Sequence, residues 1–240
     1  MPFGIVRVPL AVCAAAGQVP AVLWLPDSAR PAGAVVLLGH GGSQHKESPG
    51  VLARAGRLVG GHGLACVAID GPYHGDRAVG GLSGTGYQSQ MVTDGVDAVL
   101  DRMTDDWLEV LDAVSVRGDV DTARPAYLGM SMGARFGLRL GARMGSRLGC
   151  LVLGKFGVVQ RSLHPGLNAT ATTEADARRI TAPLLFHVQS ADEIFPREGS
   201  IALFDLFGSA DKTLVTYPGR HADTTHEALD TWCDFIAEHV

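Results

Sequence analysis

The chain has 240 residues, of which 46% are hydrophobic and 19% charged, a balance that excludes a disordered or collagen-like polymer and predicts a well-formed core. The formal net charge of −5 and the lack of any basic run remove the electrostatic case for nucleic-acid binding. No stretch of ~18 consecutive apolar residues exists to span a membrane.

Short apolar runs alternate with helical patterns along the chain. Strands are predicted at residues 4–10, 19–25, 33–38, 64–69, 126–128, 150–153, 184–188 and 213–217. The runs at 64–69 and 184–188 are apolar on both faces, as central parallel strands covered by helices on each side must be. Helices are predicted at 51–59, 90–116, 132–143, 197–207 and 226–239. In the second of these, Val92, Val96, Val99, Leu100, Met103, Trp107, Leu111 and Val114 form one stripe, with Asp101, Asp105, Asp106 and Asp112 opposite. This reads as a sheet-packing face. The last helix buries Leu229, Trp232, Cys233 and Ile236, with Asp223 or Thr224 as its expected cap.

Repeated strand–helix pairs imply βαβ units around a mostly parallel sheet of about eight strands, in a single domain over 1–240. The first two strands have no helix between them and should form an antiparallel hairpin. The least regular segment, 158–183, reads as a short lid or a long connection. Cys13, Cys66, Cys150 and Cys233 are widely spaced, without C-x-x-C or zinc-ligand spacing; three lie inside apolar runs, and they read as buried free thiols. The opening Met1-Pro2-Phe3-Gly4 lacks signal-peptide character, so a cytoplasmic protein is expected. In that setting the acceptor pattern Asn168-Ala169-Thr170 carries no meaning.

Gly129-Met130-Ser131-Met132-Gly133 is G-x-S-x-G, lying between a short apolar strand and a helical pattern. A strand-to-helix turn this sharp crowds the serine's neighbours, and glycines two residues to either side remove the clashing side chains. A serine hydroxyl needs a base and an acid that orients the base. Asp192 and His221 follow the next two strands, at the carboxyl ends where sheet enzymes build their sites. Glu193 is an alternative acid and His226 an alternative base, whereas His187 lies inside a strand and reads as packed.

With Gly39-His40-Gly41-Gly42, Asp70-Gly71-Pro72-Tyr73-His74-Gly75, the serine turn, Asp192 ahead of Pro196, and His221 after Pro218-Gly219, the chain resembles the α/β-hydrolases over nearly its whole length. It is nearest in style to the single-domain, dienelactone-hydrolase-like serine esterases. The resemblance implies Ser131 as nucleophile, His221 as general base and acid, and Asp192 as the orienting carboxylate. The oxyanion would be held by the amide of Met132, which begins a helix, and by Gly42 in the His-Gly-x loop; Gly41 and Ser43 are alternatives to Gly42. His40 reads as a loop-bracing residue. The loop at Tyr73 and His74 is either held structurally by Asp70 and Arg77 or forms pocket wall. Lys155 and Phe156 are candidate wall residues.

No cofactor is implied, and His40, His45, His74 and Asp76 fit no compact metal motif. The partner expected is a small ester or thioester; nucleic acid and membranes are not, and a homodimer is an arrangement the resemblance allows. The connection between residues 153 and 184 has room for a minimal lid only, so the site should be fairly open. Peptidase, amidase, C–C hydrolase and acyltransferase chemistry share the fold, and a non-catalytic ligand binder would be marked by a broken triad.

Overall fold

A computed structural model describes residues 4–15, 17–28, 31–78, 80, 85–161, 163–168 and 170–240. Eight strands form one sheet: β1 (Gly4–Ala14), β2 (Gly17–Asp27), β3 (Ala32–Gly39), β4 (Ala65–Ile69), β5 (Val120–Met130), β6 (Leu151–Gly154), β7 (Leu184–Gln189) and β8 (Lys212–Tyr217). Their spatial order is β1-β2-β4-β3-β5-β6-β7-β8. The first two make the antiparallel hairpin, β2 pairs antiparallel to β4, and every later pair is parallel.

Both faces are covered. On one, α3 (Val96–Ser115) and α4 (Met132–Met144) bury Met103, Trp107 and Phe136 against Leu37, Tyr127 and Phe186. On the other, α1 (Pro49–His62) and α7 (His226–His239) bury Leu58, Val59, Trp232 and Ile236 against Val36, Cys66 and Leu128. Accordingly β4 and β7 are buried at every position. The remaining helices are α2 (Gly86–Thr93), α5 (Thr170–Arg179) and α6 (Arg197–Leu206). Cys66, Cys150 and Cys233 are buried free thiols, and Cys13 is an exposed one.

Four local expectations need correction. The helix expected over 90–116 is two helices, because Gly95 adopts φ +87, a left-handed conformation that breaks the run before α3 starts. The segment 158–183 contains α5, which packs Ala177 into the core and pairs Asp176 with Arg139 of α4 at 2.7 Å. Its threonine-rich start masked the Glu-Ala-Asp-Ala-Arg-Arg helical run that follows. The strand expected at 126–128 extends back to Val120, through polar residues that pair with β3 across two register shifts. The cap of α7 is Thr225, whose side chain accepts from the Ala228 amide, and neither Asp223 nor Thr224 does so. In the acceptor pattern Asn168-Ala169-Thr170, Ala169 lies outside the described residues, as do Met1, Pro2 and Phe3.

Candidate active site

The serine turn is assembled by steric exclusion. The chain leaves β5 at Met130 and enters α4 at Met132, which forces Ser131 to φ 58, ψ −118. A non-glycine residue held there stores on the order of 1–3 kcal/mol of strain. The Ser131 amide donates to Gly154 O at the end of β6 (2.9 Å), and Ser131 O accepts the first helical bond, from Arg135 N (3.1 Å). A Cβ on Gly129 would sit 2.5 Å from Gly133 O, and one on Gly133 would sit 3.0 Å from the carbonyls of Gly39 and His40. Buried Tyr127 closes the turn from below, its hydroxyl donating to Gly133 O (2.7 Å). The hydroxyl of Ser131 thus stands at the positive end of α4.

Two neighbouring strand ends bring up the other groups. Asp192 follows β7 and His221 follows β8. Asp192 Oδ1 accepts from the amides of Ile194 and Phe195, both at 2.8 Å, which leaves Oδ2 for His221 Nδ1, also at 2.8 Å. Burial opposes ionisation of Asp192, but the bond from His221 and those two amides outweigh it and hold its pKa below the ordinary carboxylate value. An ionised carboxylate only accepts, so Nδ1 carries the ring proton and Nε2 is the acceptor. Nε2 lies 2.9 Å from Ser131 Oγ. The three side chains form one hydrogen-bonded chain.

The alternatives lie elsewhere. Glu193 Oε2 accepts from the backbone amide of His221 (3.0 Å) and leaves the ring to Asp192. His226 is exposed on α7, its Nδ1 2.8 Å from Arg57. His187 is buried in β7 between Gln189 and Trp232, stacked on Tyr217.

His40 braces the loop after β3. Its Nε2 accepts from the Gly71 amide (2.9 Å) and its Nδ1 faces Gly41 O (2.8 Å), while burial pushes its pKa down to about 3 and keeps the ring neutral. The Gly41 amide is occupied by Gln44 Oε1 at 3.1 Å. Gly42 and Met132 both line the cavity over Ser131, and Met132 is at the first position of α4, where amides lack an intrahelical acceptor. The loop after β4 is a structural clamp: Asp70 receives Lys46 Nζ (2.6 Å) and the Asp76 amide (2.9 Å), and Arg77 pairs with buried Asp106 (2.6 Å). Tyr73 and His74 are not among the residues lining the cavity. Among the described residues, no group of three or more His, Cys, Asp or Glu side chains is placed to hold a metal ion.

The cavity holds about 440 Å³ and is walled by Phe156, Phe195 and Met91 beside the serine and histidine. Three buried cations share this lining. Arg54 holds the carbonyls of Gly39 (3.0 Å) and Gly50 (2.8 Å). Arg135 holds Leu167 O (2.8 Å) beneath the Phe156 ring. Lys155 reaches the loop that carries His221. Sequence reasoning found Lys155 and Phe156 but missed Tyr87 and Gln88 of α2, whose place in the wall depends on a long-range fold-back with no local signature.

A family model described as serine aminopeptidase, S33, matches residues 153–228, the part that contains Asp192 and His221. A solved cold-adapted esterase from an Arctic intertidal metagenomic library superposes with a TM-score of 0.83 at 26% identity, covering 100% of both chains. The fold is that of the α/β-hydrolases. An acetyl xylan esterase from Paenibacillus sp. has this hydrolase fold too, with a TM-score of 0.75 at 18% identity, covering 100% of this chain and 90% of that one. Est1E from Butyrivibrio proteoclasticus, solved with ferulic acid bound, gives a TM-score of 0.69 at 16% identity, covering 95% and 96%. No curated protein sequence is significantly similar to this chain. Among the described residues, no helix of this hydrolase fold is long and apolar enough to cross a membrane.

Proposed function

We propose that the protein is a serine hydrolase that cleaves a carboxylic ester or thioester through an acyl-enzyme. The observation that carries this reading is the chain of hydrogen bonds from Ser131 Oγ through His221 to Asp192, opening on a cavity large enough for a small or medium substrate. Ser131 Oγ attacks the acyl carbonyl as His221 Nε2 takes its proton. Asp192 holds the ring in the required tautomer and stabilises the imidazolium. The amides of Met132 and Gly42 receive the charge that develops on the carbonyl oxygen; in place of Gly42 the alternative is Ser43, since the Gly41 amide is engaged by Gln44. His221 then protonates the leaving group, activates water, and returns the hydroxyl to Ser131 with release of the acid. The esterases among the similar structures support ester over amide chemistry. A cytoplasmic location is part of the same reading, supported by four free cysteines.

The test is labelling by a fluorophosphonate, together with turnover of short and medium p-nitrophenyl esters and their anilide counterparts. Wild type should label and turn over the esters, and Ser131→Ala should do neither. Anilides cleaved faster than esters would move the reading to an amidase.

A further inference from the structure

A side chain from a different strand end reaches the segment that carries His221. Lys155 is the residue after β6, in a left-handed conformation at φ 47, with its amide donating to His187 O of β7 (2.9 Å). Its side chain is buried along the cavity, and Nζ donates to Asp223 O (2.5 Å) and Thr224 Oγ1 (2.8 Å). Those acceptors lie two and three residues beyond His221, in the segment 218–225 between β8 and α7. Gln189 Nε2 reaches the same segment, donating to Pro218 O and Asp223 O, both at 3.1 Å. The residue before Lys155 is Gly154, whose carbonyl holds the Ser131 amide (2.9 Å). One strand end therefore grips the nucleophile through its backbone and the histidine segment through a side chain.

A lysine is a costly choice for a purely structural tie. A cation buried without a carboxylate bonded to it pays a desolvation penalty that a neutral donor avoids. Burial pushes the Lys155 pKa down to about 8, against the pull of the Asp192 and Asp223 carboxylates and with repulsion from Arg54. What the ammonium supplies in exchange is a pair of charge-assisted bonds, shorter and stronger than neutral ones.

We propose that Lys155 is a positioning residue of the hydrolytic site: its ammonium, bonded to Asp223 O and Thr224 Oγ1, fixes the segment that carries His221 at hydrogen-bonding distance from Ser131. This rests on the serine hydrolase reading above. Lys155 acts on the three reacting side chains through the segment, by way of Asp223 O and the Thr224 hydroxyl. Its loss should therefore slow the chemical steps more than it weakens ground-state binding.

The experiment compares wild type, Lys155→Met, Lys155→Arg and Thr224→Val by p-nitrophenyl acetate kinetics and by amide hydrogen exchange across 218–225. In Lys155→Met, kcat should fall about 10- to 100-fold, the scale of an ångström-sized misplacement, with KM within about twofold. Exchange across 218–225 should accelerate while the β5–α4 turn keeps its protection. Lys155→Arg, which keeps charge and donors, should recover most of kcat, and Thr224→Val, which removes one acceptor at constant shape, should give a smaller loss of the same kind. If Lys155→Met fails to fold, Thr224→Val carries the same comparison. Wild-type exchange across 218–225 in the variants, or wild-type kcat despite faster exchange, overturns the assignment. A wild type that neither turns over esters nor takes the fluorophosphonate overturns the hydrolase reading instead, and the exchange data still report whether Lys155 holds the segment.

Discussion

The two halves of the site are held by different physics. On the Ser131 side the backbone is trapped by packing: a methyl group on Gly129 would meet the Gly133 carbonyl, one on Gly133 would meet the carbonyls of Gly39 and His40, and Tyr127 seals the turn beneath. On the His221 side the close contacts are to polar side chains instead of backbone: a Cβ on Gly219 would sit 2.8 Å from Asp223 Oδ2 and from Gln189 Nε2. Segment 218–225 is suspended from polar ties, with Asp192 on the ring, Glu193 on the His221 amide, Lys155 and Gln189 on the far carbonyls. Steric trapping is insensitive to pH and salt and fails abruptly when volume changes. Polar suspension is adjustable and should fail by degrees, one tie at a time.

The largest effect expected from a tie belongs to Asp192→Asn. The amide can present its NH₂ to the ring and favour the wrong tautomer, and kcat should fall roughly ten-thousand-fold with the fold intact, as read by steady-state kinetics beside circular dichroism. The same residue makes a pH prediction. Its folded pKa lies below the ordinary value, so the stability it contributes is present above the unfolded pKa of about 4 and is lost as pH falls through the lower folded value. Acid unfolding of Asp192→Asn should show a shallower pH dependence in that window.

On the steric side, Gly129→Ala should destabilise the protein by about 1–3 kcal/mol and lose most activity, since the new methyl group meets the backbone of Gly133 at 2.5 Å. Denaturant melts and ester turnover would report both losses together. If Gly129→Ala loses activity gradually with no loss of stability, the contrast between the two halves collapses. The smallest effect expected is that of Glu193→Gln. Its exposed side chain accepts from the His221 amide, which the glutamine oxygen can still do, and the ion pair with Arg220 that would be lost is solvent-exposed, so kcat and melting temperature should stay close to wild type.

This contrast also explains what could be read from the sequence. A sterically trapped turn restricts residue types over five consecutive positions, so Gly129, Ser131 and Gly133 stand out in the chain itself. Asp192 and His221 were placed by the strands that precede them, and the structure brings their side chains to Ser131 in one hydrogen-bonded chain. Strands such as β4 and β7 were legible because full burial demands continuous apolar runs. The polar ties were not legible. Lys155 and Thr224 lie 69 positions apart, and nothing local marks either as a partner of the other. The break at Gly95 is hidden because the apolar stripe continues across it from Val92 to Val96, and α5 is hidden because its core contact through Ala177 is a single small side chain.

Ser131 as nucleophile can be tested by intact-protein mass spectrometry after fluorophosphonate treatment, with peptide mapping. One adduct per wild-type chain is expected, on the peptide containing Ser131, and none on folded Ser131→Ala. An adduct at another residue, or no adduct on a folded wild type, would contradict it.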